Sequence, residues 1–155
     1  MDGSFPLLVS RRTIVVSAIF SAFSIAWPVQ SQDPGLPAIT WNPDIESAWT
    51  ASQEQGQLLL LFVKTDSCLY CTKMERETYA DEAIARHVTE QFVATSMDGR
   101  SYPQLMKKLG IRVYPTTVII GPNAQVLDSI SGFVAAGDLQ QRLETASKKA
   151  ATLRR

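Results

Sequence analysis

The sequence predicts an α/β domain, a central mixed sheet flanked by helices, and three observations predict it. Apolar runs of strand length alternate with stretches of helical spacing between Pro43 and Ala150, an order that favours parallel pairing. The run Leu58-Leu59-Leu60-Leu61-Phe62-Val63 is apolar without interruption, as in a strand covered on both faces. Near the end, β-branched Thr116–Ile120, the turn Gly121-Pro122-Asn123-Ala124 and the run Val126–Ile130 make an antiparallel hairpin.

Taken in order, Gln32–Trp41 holds Pro34, Gly35 and Pro37 and reads as a linker or extended lead-in. The domain is expected over residues 42–150. Asn42-Pro43 opens its first helix, with Asn as cap and Pro at the first helical position. Ile45, Ala48 and Trp49 share a face, and Gly56 ends the helix. After the Leu58–Val63 strand, a helix starts near Ser67 and carries Cys68 and Cys71 on its first turn. Asp81 caps a second helical stretch to about Glu90. Phe92–Met97 is a strand, and Tyr102–Lys108 is a short helix stopped by Gly110. The hairpin follows, and Gly137-Asp138 precedes a last helix to about Lys149, with residues 151–155 as a tail. Trp41, Trp49, Phe92 and Phe133 are expected in core or lead-in packing. His87 is expected at a helix surface or boundary.

The 155 residues are 45% hydrophobic and 19% charged, enough apolar content for a buried core and too much for a disordered chain. Fifteen basic residues balance fifteen acidic ones, so no charge excess points to nucleic acid or an anionic membrane. The local cluster Lys148, Lys149, Arg154 and Arg155 reads as a solvated helix end, where cations suit the helix dipole.

Residues 1–31 read as a secretory signal. Arg11 and Arg12 supply the positive start, and Thr13–Trp27 is uncharged and mostly apolar. At about 15 residues it falls short of the roughly 20 that a membrane span needs. Ser24 with Ala26, and Val29 with Ser31, offer cleavage sites; an uncleaved anchor is the competing reading. Ser10-Arg11-Arg12-Thr13-Ile14-Val15 also resembles a twin-arginine signal. Cleavage after Ser31 removes two arginines and one aspartate from a balanced chain, leaving a formal charge of minus one. A periplasmic or secreted location follows.

The two cysteines lie in Asp66-Ser67-Cys68-Leu69-Tyr70-Cys71. A structural disulfide closing so small a loop removes little entropy from the unfolded chain. A zinc site would have only His87 as a further soft ligand, an incomplete set, so no metal is expected. Haem attachment calls for histidine after the second cysteine, where Thr72 stands. The redox reading fits best: a pair at the start of a helix, after a buried strand, has free N–H groups and the helix dipole to favour a thiolate. Cys68 is then the exposed nucleophile and Cys71 the resolving thiol.

With the downstream Tyr114-Pro115-Thr116, the hairpin and the last helix, the chain over roughly Pro43–Ala150 resembles the thioredoxin superfamily. Within it, the chain looks most like small exported thioredoxin-like proteins and the soluble reductase domain of membrane thiol-transfer proteins. That likeness is carried by Cys71-Thr72-Lys73-Met74-Glu75-Arg76-Glu77-Thr78-Tyr79, Asp81 and Ser131-Gly132-Phe133. The resemblance implies a thioredoxin fold and a cis peptide before Pro115. It implies that the Tyr114 backbone pairs with an extended substrate segment. Tyr70 and Tyr114, with Leu69 and Pro115, are the expected contact surface for a partner protein.

Three positions depart from the family pattern. Ser67 replaces the usual tryptophan before the first cysteine, Leu69-Tyr70 replaces Gly-Pro, and Phe62 stands where many relatives carry a buried aspartate that assists the resolving thiol. Glu75, four residues after Cys71 and seven after Cys68, is the candidate substitute base; a solvated helix glutamate is the competing reading. Lys64 and Lys73 are candidates for favouring the thiolate. The expected function is a thiol–disulfide oxidoreductase, in the reducing direction, acting on disulfides of exported proteins. It would use no cofactor and act as a monomer. Lacking a second redox domain, it would need an external electron donor such as a membrane thiol-transfer protein. A disulfide-introducing oxidant and a binding adaptor with incidental cysteines are the alternatives.

Overall fold

A computed structural model describes residues 38–153; the expected signal segment 1–31, residues 32–37 of the expected linker and the last two residues of the expected tail lie outside them. The elements run β1 (Trp41–Asn42), α1 (Ile45–Gln55), β2 (Leu58–Lys64), α2 (Leu69–Lys73), a π-helical turn (Met74–Thr78), α3 (Glu82–Gln91), β3 (Phe92–Asp98), α4 (Pro103–Leu109), β4 (Thr116–Ile120), β5 (Val126–Ser131) and α5 (Ala136–Leu153).

The five strands form one mixed sheet in the order β1-β3-β2-β4-β5. β1 and β2 flank β3 in parallel, while β4 is antiparallel to both β2 and β5. The sequence led to an antiparallel pairing only inside the hairpin; the β2–β4 pairing is a second one. Lys64 is level with Asp98 at the end of β3, and Val63 is level with Thr116 at the start of β4. The short α4 and the segment 110–115 therefore return the chain at the same sheet end that it left, and β4 must run backwards.

The uninterrupted apolar run of β2 is buried on both faces, as its composition requires. Leu58, Leu60 and Phe62 enter one core cluster, with residues of α3 and α5. Leu59, Leu61 and Val63 enter the other, with α1 and α4. Alternation of side chains along the strand divides the run between the two clusters.

Several boundaries move for identifiable reasons. Asn42 does not cap α1: its amide donates to the Ala94 carbonyl at 3.0 Å, and its own carbonyl accepts from the Thr95 hydroxyl at 3.1 Å. Trp41, expected in the linker, thus joins the sheet with Asn42. Asp44 caps α1 instead, accepting from Ser47 N–H at 2.8 Å, and this bond holds its carboxyl below the usual range. Gly56 ends α1 at φ +65°, and Asp81 caps α3 through Ala83 and Ile84 N–H, both as expected. α5 runs on to Leu153, so residues 151–153 are helix and not tail. His87 is buried beside Phe92, its Nδ1 paired with Gln140 Nε2 at 2.8 Å, and not at the surface.

Candidate active site

The site gathers at the sheet end where β2 and β3 finish and β4 begins. Ser67 takes φ +59°, a left-handed turn that carries the chain from the loop after β2 into α2. The helix does not start at Ser67: Cys68 is its N-cap, and α2 begins at Leu69. The Cys68 sulfur accepts the Cys71 N–H at 3.1 Å, the work usually done by a capping oxygen. One of the free N–H groups expected at this helix start is therefore aimed at sulfur, and it favours negative charge there.

Cys68 and Cys71 form a disulfide, with sulfurs 2.07 Å and Cα atoms 5.2 Å apart. The two sides differ in access. Cys68 is half-buried, whereas Cys71 is 2% exposed and belongs to the core cluster with Phe62, Met74 and Tyr79. Leu69 and Tyr70, between them in the sequence, are 79% and 59% exposed, an apolar surface at the start of α2. Across the sheet end, the Tyr114–Pro115 bond is cis and Pro115 is buried. Tyr114 and Cys68 pack against the same core cluster. The Pro115 carbonyl accepts Gly132 N–H at 2.7 Å. Among the described residues, the Tyr114 N–H and C=O have no hydrogen-bond partner.

Beyond Cys71 the helix widens. Tyr79 N–H bonds the Met74 carbonyl at 2.9 Å, five residues back, and the π-helical turn carries Glu75. Such turns inside helices often mark functional sites. A place for Glu75 on the cysteine face requires a regular α-helix, and the regular helix ends just before it. In the fold, Glu75 Oε1 lies 2.5 Å from Lys64 Nζ at the end of β2. The Lys64 and Glu75 side chains are 37% and 39% exposed. Lys73 stands 3.7 Å from Glu77 and 4.6 Å above the Phe133 ring. Both lysines considered as thiolate partners are thus engaged elsewhere, and the contact to the Cys68 sulfur comes from the backbone.

Phe62 is buried in an aromatic group with Trp41 and Tyr79. Its ring centroid is 4.9 Å from Tyr79, and the Trp41–Tyr79 centroids are 5.2 Å apart. Tyr79 OH and Thr117 Oγ1 are 2.6 Å apart and both residues are buried. Burial pushes the Tyr79 phenol above its ordinary value of 10; the Thr117 bond opposes this and the Glu75 charge adds to it. Thr78 Oγ1 donates to the Val134 carbonyl at 2.6 Å. The π turn is therefore tied to β4 and to the loop after β5, two links that no sequence spacing announces.

The family model described as a thioredoxin-like domain matches residues 45–147. The thiol:disulfide interchange protein DsbD of Yersinia enterocolitica is 20% identical over 147 residues, 91% of this chain and 25% of that protein. Human spermatogenesis-associated protein 20 is 26% identical over 95 residues, 56% of this chain and 12% of that protein. The chain thus spans a quarter or less of these relatives. Among solved structures, a thioredoxin from Thermus thermophilus superposes with a TM-score of 0.69 at 19% identity, covering 76% of this chain and 94% of that one. The reduced DsbD C-terminal domain of Neisseria meningitidis gives 0.56 at 21% identity, covering 65% and 92%. With the family model matching well over half of its length, and the Cys68–Cys71 disulfide formed at the start of α2, this chain belongs to the thioredoxin-like domain family.

Proposed function

We propose that the protein is a thiol–disulfide oxidoreductase that reduces disulfides of exported proteins through Cys68 and Cys71. The observation that carries this is the asymmetric disulfide at a helix start, with Cys68 half-buried and Cys71 buried. In the reduced protein, the Cys68 thiolate attacks one sulfur of a substrate disulfide. A Cys68–substrate bond forms, and the other substrate sulfur leaves as a thiolate that takes up a proton. Cys71, deprotonated, then attacks the Cys68 sulfur, forming the intramolecular disulfide and expelling the second substrate thiol. Two electrons pass to the substrate, and a dithiol protein must return two to Cys68–Cys71; a membrane thiol-transfer protein is the donor class that the DsbD likeness supports.

Glu75 is the proposed acceptor of the Cys71 proton, held by Lys64. Leu69 and Tyr70 are the contact surface, and Tyr114, preceding Pro115, pairs through its unpartnered N–H and C=O with an extended substrate segment as an added strand. Export rests on the sequence of residues 1–31, and the protein acts as a monomer.

The test combines trapping with redox titration. A Cys71→Ala variant is expected to accumulate mixed disulfides through Cys68, and Cys68→Ala none. The reduction potential is expected near about −270 mV, the thioredoxin value, and not near about −120 mV, the value of a strong oxidant. A pair with no reversible transition in thiol buffers, and no trapped partner, overturns the proposal.

A further inference from the structure

We propose that Gly99 is a positioning residue for substrate docking: its missing side chain makes the seat of the Tyr114 ring, and this seat fixes the backbone groups that hold a substrate strand beside Cys68. The inference rests on the reading above, in which Tyr114 pairs with substrate.

Gly99 is buried and directly follows β3, at the sheet end where the disulfide lies. Its backbone does not call for glycine, since only Gly56, Gly110 and Gly132 among the described glycines have positive φ. A close approach does. A Cβ on Gly99 would stand 2.5 Å from Tyr114 Cε1, 2.6 Å from its hydroxyl oxygen and 2.8 Å from Cζ. All three are far inside van der Waals contact, so the outer end of the ring rests directly on the Gly99 backbone.

The ring is also held from the sides, because Tyr114 packs against both core clusters, one on each face of the sheet. A rigid ring wedged in this way passes any displacement to its own backbone. That backbone is the part left unpaired at the sheet end: Pro115 C=O is taken by Gly132 N–H, and Thr116 is already in the β2 and β5 ladders. Tyr114 is thus the last position where an incoming strand finds free groups, and strand addition is sensitive to their direction. Gly99 acts through Tyr114, whose ring supplies the three atoms nearest to a Cβ at this position.

The test is a double-mutant cycle on Gly99→Ala and Tyr114→Leu, read in insulin reduction and in the reduction potential in glutathione buffer. In the parent background, Gly99→Ala is expected to raise KM for insulin about fivefold while kcat stays within about twofold. In the Tyr114→Leu background the same change is expected to move KM by less than about 1.5-fold, because the clash is gone. An equal rise in both backgrounds, or none in the parent, overturns the proposal. So does a change of reduction potential that matches the loss of insulin reduction, which would place the effect on the disulfide. Should Gly99→Ala alone fail to fold, folding restored by Tyr114→Leu supports the seat. Tyr114→Leu alone that leaves KM within about 1.5-fold refutes it. A parent protein that neither reduces insulin nor titrates reversibly defeats the proposed function itself, an outcome separate from any result of the cycle.

Discussion

Replacing Tyr79 by phenylalanine removes one oxygen from the anchor between the π-helical turn and β4. The hydroxyl lies 2.6 Å from Thr117 Oγ1, and neither group reaches water. The ring stays, so packing against Trp41 and Phe62 is kept and the loss is that of a buried hydrogen bond. Thr117 is left with an unpaired buried hydroxyl, and the expected cost is about 1–3 kcal/mol at pH 7. For a domain of this size that lowers Tm by about 4 °C for each kcal/mol. Thr117→Val is expected to cost about the same, by orphaning the phenol, while the double variant removes both partners and costs much less than the sum.

The same hydroxyl sets an alkaline limb. Burial raises the folded-state value of Tyr79 above the ordinary 10, so the protonated phenol is favoured in the fold. Its contribution is complete below pH 10 and is lost as pH rises from there toward the folded-state value. At pH 11 the unfolded chain gains about 1.4 kcal/mol from ionising this group, which the folded chain cannot match. Tyr79→Phe has no such loss, so its deficit relative to the parent is expected to narrow by about 1.4 kcal/mol between pH 8 and pH 11. Urea unfolding at both pH values, with the four proteins of the cycle, measures both quantities. Additive costs at pH 7, or a deficit that does not change with pH, would refute the reasoning.

Two further substitutions have expected outcomes. Glu75→Gln should change stability by less than about 0.5 kcal/mol, because both partners of its ion pair are more than a third exposed. It should slow release of a Cys68 mixed disulfide by about tenfold or more in single-turnover experiments if Glu75 takes the Cys71 proton; an unchanged rate excludes that role. Asp128→Asn breaks a two-pronged pair in which Arg142 Nε donates to Oδ2 at 2.6 Å and Nη2 to Oδ1. Because the Arg142 bond lowers the Asp128 folded-state value below 3.8, the stabilisation is present above that pH and is lost as pH falls through the folded-state value. With Asp128 21% exposed and Arg142 47% exposed, the expected loss is about 1 kcal/mol at pH 7, fading toward pH 3 in thermal unfolding.

Much of the fold was legible in the sequence because local signals and burial agree there. An uninterrupted apolar run of six residues suits a strand covered on both faces, and Leu58–Val63 is one. Asp81, Gly56 and Gly110 act through backbone groups a few residues away, so their caps stand where composition puts them. Cys68 and Cys71 were legible from their spacing at a helix start, and Pro115 from the family resemblance that Tyr114-Pro115-Thr116 carries; the fold brings the three to one sheet end. The start of α1 was misread because Asn42, a good cap by composition, found partners in β3, fifty residues away.

By itself the sequence determined the element types, the apolar character of both faces of the central strand, the cysteine pair at a helix start and the hairpin, all of which are set by composition and by near neighbours along the chain. Tertiary structure alone decided the antiparallel course of β4, the π turn after Cys71, the Lys64–Glu75 pair, the Tyr79–Thr117 link and the Gly99 seat of Tyr114. Apart from the π turn, each of these joins residues from about ten to about sixty apart, and their encounter depends on strand order and register. Periodicity reports which face of an element is apolar. It carries no record of which other element will arrive against that face, and the chemistry around Cys68 and Cys71 depends on that arrival.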